Sequence, residues 1–400
     1  MTNLKVNSIP AKNRIVIEKI LRDFIGADPA GIEKMAPKTE CEALFVDGLK
    51  SFETNILKQE LLSIGGECAI PRYAILEKRA TPALIIADKK RIRTIASKLK
   101  AQSFSNLKQL GQILSRPTGV NRSPVWKARG RNIDCSSPVI MGIVNATPDS
   151  FSGDGVGKNV DRAIKQVEYF LKSGAGIIDI GGESSRPGAK PVGVKQEMER
   201  VLPVIRAVKK KFPKAIVSID TRHWQVAEAA IDAGVHIIND ITGMSSVRMR
   251  KTAAKAKVGV VIMHMKGTPK TMQHSAVYDD VVKEVYEAIL GRINLCERYS
   301  IERNAIVIDP GIGFAKTAGH NYELLSNLAV FALLERPVMV GLSRKSFIGA
   351  IDNSKAHERL GGTISANLWA IENGANIIRV HDVFEMKQAL MVWKRLKTGN

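Results

Sequence analysis

MGIVNATPDSFSGDGVG, residues 141–157, changes character at its fifth position. The opening MGIV is apolar and β-prone. From Asn145 on the chain is polar, with Pro148, Gly153, Gly155 and Gly157 close together. A buried strand thus runs into a long, adaptable loop. Similar apolar runs recur downstream. VIMGIVN, GIIDIGG, AIVSID, VHIIND, VGVVIMHM, AIVIDP, PVMVGLS and NIIRVHD are separated by helical segments such as DRAIKQVEYFLKSG and WQVAEAAIDAG. Continuous Val/Ile runs mark strands buried on both faces, as parallel sheets require. Eight β-α units in the last 265 residues predict a closed (β/α)8 TIM barrel. A doubly wound sheet fits the same rhythm, because strand order is not written in it.

Most of these runs end in a polar or charged residue: Asn145, Asp179, Asp220, Asn239-Asp240, His264, Asp309, Ser343-Arg344-Lys345 and Arg379-His381-Asp382. In a parallel barrel the carboxyl ends converge on one face, where active sites lie. One such residue is a common strand terminator. A ring of them is costly unless it serves a ligand, because buried polar groups need partners. Asp220, Asn239 and Asp309 suit a flat heterocycle bearing amino and amide groups, and Met263 and Phe314 suit its faces. Arg186, Arg344-Lys345-Ser346, Arg379 and His381 suit an anion such as phosphate. Arg379 lies inside the apolar run IIRV, which argues against a solvated role. Arg359 reads as a surface charge. Asn145 offers an oxygen that helps seat Mg2+, an ion that keeps most of its waters and shares the phosphates.

The rest of the chain bounds the answer. Residues 1–115 alternate ALFVDGL (strand), FETNILKQELLSIG (helix), TPALIIAD (strand) and KKRIRTIASKLK (helix), a small α/β domain. Residues 116–137 carry two prolines and two glycines without a period and read as a basic linker, leaving 138–400 for the barrel. Net charge is +21, and between Lys89 and Arg131 there are 12 basic residues and no acidic one. That segment reads as a solvated helix face plus the linker. It matches no nucleic-acid motif, so nucleic acid is not an expected partner. The N-terminal domain is expected to be a non-catalytic module that packs or, less simply, binds RNA. Four scattered cysteines without a CxxC pair point to a reducing compartment. The absence of an 18-residue apolar run or a signal-type N-terminus gives the expectation of a cytoplasmic protein without a membrane span.

Two nucleotide-loop readings fail. Gly153–Gly157 is GxGxG in a long loop rather than GxGxxG in a tight turn, and GIGFAKT (311–317) has Ala315 where a P-loop needs its last glycine. His223, His236, His274, His320 and His357 lack ligand spacing and read as structural or surface residues.

The motifs NATPDSFS, GGESSRPGA, SIDTR, NDI, MHMKG, DPGIGFAKT, GLSRKS and RVHDV occur here in the order and spacing of the dihydropteroate synthases. The resemblance runs from residue 137 to about 397, two-thirds of the chain. It implies a TIM barrel, usually a homodimer, that uses Mg2+ to join 6-hydroxymethyl-7,8-dihydropterin diphosphate to 4-aminobenzoate for folate synthesis. Sulfonamides compete at the aminobenzoate site in that family. Carried residue by residue, Asp220, Asn239, Asp309 and Lys345 match pterin-binding positions, beside Met263 and Phe314. Asn145, Arg379 and His381 match the pyrophosphate and Mg2+ positions, with Ser185 near them. Phe151, Ser185, Arg186, Pro187 and Ser346 match groups around the aminobenzoate.

The implied chemistry is loss of pyrophosphate to leave a delocalised pterin cation, followed by attack of the aniline nitrogen. Lys345 and Arg379 are the catalytic cations, and no strong general base is needed. The first loop reads SFSGDG where many members read SFSDGG, so either Asp149 or Asp154 serves the cation. SSRPG replaces the more common STRPG in the second loop. The alternative is a methyltetrahydrofolate-binding methyltransferase-type barrel, which shares the pterin carboxylates but needs no pyrophosphate site.

Overall fold

Eight parallel strands close into a barrel in the computed structural model of the chain. They are β6 (Val139–Asn145), β7 (Ile177–Gly181), β8 (Val217–Asp220), β9 (Ile237–Asp240), β10 (Gly259–Met263), β11 (Ile306–Asp309), β12 (Val338–Val340) and β13 (Ala375–Val380). Neighbours in sequence are neighbours in the sheet, and β13 returns to pair with β6. The closed barrel, not the doubly wound sheet, is therefore the architecture. The structure describes residues 18, 20–24, 28–35, 41–72, 74, 80–115, 125–147, 156–184, 191–267 and 272–398.

The strands read as unbroken apolar runs because both of their faces are buried. Ile140, Val144, Ile178, Ile180, Val217, Ile219 and Ile238 point outward against the helices. Met141, Ile177, Ile237, Val261, Val307, Met339 and Ile377 point inward. The interior is thus a packed layer of side chains rather than a pore. Helices such as Val156–Lys172, Val194–Lys211 and Val281–Arg298 carry the outer ring. Local sequence fixes their starts: Asp280 accepts from the Lys283 amide at 2.9 Å, satisfying a first-turn donor.

The linker expected over 116–137 is corrected over residues 125–134. β4 (Val125–Ala128) and β5 (Arg131–Asp134) pair as an antiparallel hairpin, and their apolar side chains seal the amino-terminal end of the barrel. Trp126 is fully buried there and donates from its indole to Ala305 O at 2.9 Å. Its ring lies against Gly259, where an added Cβ would come within 2.9 Å of the indole nitrogen. Arg129 turns the hairpin at φ 46° and binds the Ile231 and Val235 carbonyls. Proline- and glycine-rich flanks hid a short strand pair whose burial comes from the barrel itself.

The chain divides into two units at residues 122 and 123. The first holds a three-stranded antiparallel sheet, β1 (Cys41–Lys50), β3 (Ala80–Asp88) and β2 (Glu67–Ala69) in that order, with helices Ser51–Ser63, Lys89–Ala101 and Ser105–Leu114. Its core joins Leu57, Leu61, Ile85, Ile95, Leu99 and Leu107. In Lys89–Ala101 the apolar positions Ile92, Ile95, Ala96 and Leu99 are buried, and Lys89, Lys90, Arg93 and Lys100 face solvent. No helix among the described residues is long and apolar enough to cross a membrane.

Replacing Trp126 by Ala is expected to lower the unfolding free energy of the barrel by about 3–5 kcal/mol in denaturant titrations of the full chain. A loss below about 1 kcal/mol would contradict its role as the end plug.

Candidate active site at the carboxyl ends of the barrel strands

The next inward positions above the apolar layer are polar. β7, β8, β9, β11 and β13 contribute Asp179, Asp220, Asn239, Asp309 and Arg379, and the parallel register sets Asp220 beside Asn239. Arg379 is the hub. Its Nε donates to Asp179 Oδ2 at 2.6 Å and its Nη2 to Asp220 Oδ2 at 2.7 Å. Asn239 Nδ2 donates to the same Asp179 oxygen at 3.1 Å. Burial works against the charge of Arg379, but Asp179 and Asp220 outweigh it and hold the guanidinium above its ordinary value. Burial pushes Asp220 up to about 7; Arg379 opposes this, and Asp179, Glu197 and Asp240 add to it. Asp240 points away from the interior and binds the Thr242 amide and hydroxyl and the Met244 amide.

A second cluster forms where β11 ends. Asp309 Oδ1 accepts from the Gly311 amide at 2.7 Å. Burial raises its carboxyl, and that hydrogen bond with Lys345 and Lys316 pulls the other way. The following loop passes so close to β10 that an added Cβ on Gly311 (φ +71°) would lie 1.9 Å from His264 O. Only glycine fits there. Lys316 is buried beneath the loop. Its Nζ donates to Phe314 O at 2.9 Å and lies 3.1 Å from His264 Nδ1. Burial lowers Lys316 to about 7 and, with Lys316 and Lys266 nearby, His264 to about 3, so the imidazole is neutral and Nδ1 accepts. Lys345, just ahead of the helix Ser346–Asp352, donates to Ile312 O and stands 4.1 Å over the Phe314 ring. Burial brings Lys345 down to about 8, with Asp309 and Asp220 opposing and Arg379 adding. Met263, buried at the end of β10, is the register partner of Asp309.

The structure therefore brings together Asp220, Asn239, Met263, Asp309, Phe314, Lys345 and Arg379. Arg379, expected at the pyrophosphate, is paired with Asp179 and with Asp220, a carboxylate expected at the pterin. Its Nη1 makes no hydrogen bond to a described residue and remains for an anion. Half-buried Asn145 ends β6, and Ser346 is exposed at the start of its helix. His381 Nδ1 lies 3.1 Å from Ser343 Oγ, which ties the loops after β12 and β13 together. Arg344, one of the candidate anion groups, forks onto Asp382 through Nε (3.0 Å) and Nη2. Arg359 is not a loose surface charge: it binds the Ser354 and Arg344 carbonyls. Asp149, Phe151, Asp154, Ser185, Arg186 and Pro187 lie outside the described residues. Glu183 accepts from the Val192 amide at 2.9 Å and forks with Arg222 at 2.8 and 2.9 Å.

Three site residues escaped sequence reasoning as functional groups. Asp179 counted only as one strand terminator among many, although a carboxylate inside IIDI carries the same signal as the arginine inside IIRV. Lys316 lies in DPGIGFAKT, where nothing local marks a buried lysine. Arg222, the last residue of SIDTR, was given no role.

A profile of the family described as "Pterin binding enzyme" matches residues 141–381. The dihydropteroate synthase of Escherichia coli K12 is 43% identical over 265 residues, 66% of this chain and 94% of that protein. The bifunctional dihydropteroate synthase/dihydropteroate reductase of Helicobacter pylori is 33% identical over 376 residues, 93% of this chain and 95% of that one. Among solved structures, Yersinia pestis dihydropteroate synthase in a sulfonamide drug complex superposes with TM-score 0.65 at 40% identity, over 68% of this chain and 99% of that one. The Xanthomonas albilineans enzyme with 7,8-dihydropteroate gives 0.63 at 36%, over 68% and 99%.

Proposed function

The chain belongs to the dihydropteroate synthase family of pterin-binding transferases, and from that premise we propose how its residues divide the reaction of folate biosynthesis. The substrates are 6-hydroxymethyl-7,8-dihydropterin diphosphate and 4-aminobenzoate; the products are 7,8-dihydropteroate and pyrophosphate. The observation that carries the assignment is the convergence of two carboxylates, one amide, a lysine and an arginine on one barrel mouth. Asp309 and Asp220 accept from the donor edge of the ring, Asn239 reads a further ring atom, and Met263 and Phe314 cover its faces. Lys345, held over Phe314, adds a cation beside the ring. The relatives described above are synthases, so the methyltransferase-type alternative is not favoured.

In the reaction the C–O bond to the diphosphate breaks with its electron pair. The delocalised pterin cation is then attacked by the aniline nitrogen, which sheds a proton to solvent. Arg379 Nη1 and His381 take the leaving charge, which is electrostatic catalysis by preplaced groups. Asp220 and Asp179 lie beside the developing cation, and the first-loop carboxylate, Asp149 or Asp154, is assigned to it as well. Ser185 is assigned to the pyrophosphate and the aminobenzoate, and Phe151, Arg186, Pro187 and Ser346 to the aminobenzoate. Magnesium fits if the diphosphate and water supply most of its ligands. Asn145 offers one oxygen, and no group of three or more His, Cys, Asp or Glu among the described residues can form a cage. Bound there, the ion would neutralise the leaving group.

Three further assignments have their own support. Trp369, Phe384, Met391, Val392 and Leu396 are exposed on the helices Leu360–Glu372 and Val383–Thr398. An apolar face of this kind fits a homodimer. Four free cysteines fit a reducing cytoplasm. The Helicobacter relative, matched over nearly its whole length, is named for a reductase as well. On that second reading this chain also reduces its own product with an external hydride donor.

Purified protein is expected to release pyrophosphate only with both substrates present, and Lys345→Ala to lose at least about a hundred-fold in turnover. The kcat/KM for the pterin is expected to fall below about pH 7, as Asp220 takes a proton, and above about pH 8, as Lys345 loses one. Release without aminobenzoate, or a flat profile, contradicts the assignment. Added reduced nicotinamide or flavin should be oxidised once product forms if the second reading holds, and stay reduced if it does not. In sedimentation velocity Trp369→Glu is expected to shift a dimer to monomer; a wild-type monomer contradicts the apolar-face reading.

A further inference from the structure

We propose that Ser343 is a positioning residue that fixes which nitrogen of His381 carries the proton: its hydroxyl occupies Nδ1, so that Nε2–H is the donor the ring offers to the departing diphosphate. The last step rests on the diphosphate reading of the site, and the inference adds to that reading the tautomer and the atom through which His381 works.

β12 ends at Val340, and the turn that follows carries Arg344 in the left-handed region at φ 59°. The turn is held from outside: the Arg344 amide donates to Thr363 Oγ1 at 3.0 Å, and Arg359 Nη1 donates to Arg344 O at 3.1 Å. Two of its side chains reach the residues just past β13. Arg344 forks onto Asp382 through Nε at 3.0 Å and through Nη2, which fixes that segment against the turn. Beside the fork Ser343 Oγ meets His381 twice. The His381 amide donates to it at 3.3 Å, and His381 Nδ1 lies 3.1 Å from it.

A hydroxyl has one proton to give and two lone pairs. The His381 amide takes one lone pair. If Nδ1 carried a proton it would take the other, and the Oγ proton would need a further acceptor. Ser343 is only 8% exposed and makes no other hydrogen bond to a described residue. A buried hydroxyl proton without an acceptor is costly. The opposite arrangement satisfies every group: Oγ–H donates to Nδ1, and the ring proton sits on Nε2 alone. Nε2 then donates to what it faces, which suits the oxygens of a diphosphate because they accept.

Two-bond proton–nitrogen correlation spectra of the full chain labelled with nitrogen-15 histidine, at a pH well above the ordinary imidazole pKa, read the tautomer directly. The His381 signals are those lost in His381→Gln. Wild type should show one tautomer, with Nε2–H and an acceptor Nδ1. Ser343→Ala removes the hydroxyl, and the signals should move to those of a mixture of both tautomers. Ser343→Thr keeps Oγ and should restore the single tautomer. Calorimetry with pyrophosphate reads the consequence: its Kd should rise about three- to tenfold in Ser343→Ala and return to within about twofold of wild type in Ser343→Thr. An Nδ1–H tautomer in wild type, which needs no variant to fold, overturns the inference. Unchanged His381 signals in Ser343→Ala, or a mixture in Ser343→Thr, overturn it as well. The expected tautomers with a pyrophosphate affinity unmoved by Ser343→Ala overturn the diphosphate reading of His381 instead.

Discussion

Arg379 is a cation placed inside a β-barrel, and the rest of the site is arranged around that fact. A buried guanidinium without partners would be excluded on energetic grounds, since desolvation of an ion costs several kcal/mol or more. Here it is matched by Asp179 from β7 and Asp220 from β8. Arg379 on β13 comes within reach of them only because β13 pairs with β6 and closes the sheet. The pair is therefore a consequence of the barrel, and an open sheet would not have assembled it. Asn239 then takes its orientation from Asp179. Burial raises the Asp220 carboxyl, Arg379 opposes this, and the carboxylates of Asp179, Glu197 and Asp240 add to it.

The second cluster works by backbone rather than by charge pairing. Two lysines point at carbonyl oxygens of one loop, Lys316 at Phe314 and Lys345 at Ile312. The loop's amide at Gly311 in turn holds Asp309. Gly311 and Gly313, both at positive φ, make that path sterically available; a Cβ at Gly313 would strike Lys345 Cδ at 2.9 Å. A rigid acidic group, an aromatic face and a cation are thus delivered by six consecutive residues, Asp309 to Phe314, and Lys345.

Much of this was legible in the sequence where a residue's meaning is local. Each of the eight apolar runs overlaps a barrel strand, since a strand buried on both faces is built mostly of Val and Ile. The polar ends of those runs mark the site. Meaning that comes from a distant partner was not legible. Asp179 and Arg379 are 200 residues apart, and neither reveals the other. The hairpin 125–134 has no core of its own and was hidden for the same reason. The helix Ser105–Leu114 carries Gly111 in its interior. In the structure it is the contact point with the helix Lys89–Ala101, where an added Cβ would lie 2.7 Å from Ala96 O.

The central claim is that Arg379 builds the pterin pocket by balancing two carboxylates, besides any part it has at the diphosphate. Binding of unphosphorylated 6-hydroxymethyl-7,8-dihydropterin separates those roles, because that ligand carries no phosphate. Measured by calorimetry on the full-length Arg379→Met variant, its affinity should fall on the order of a hundred-fold or more, since Asp179 and Asp220 are left buried and uncompensated. An affinity within about threefold of wild type would show that Arg379 serves the leaving group alone and that the pocket stands without it.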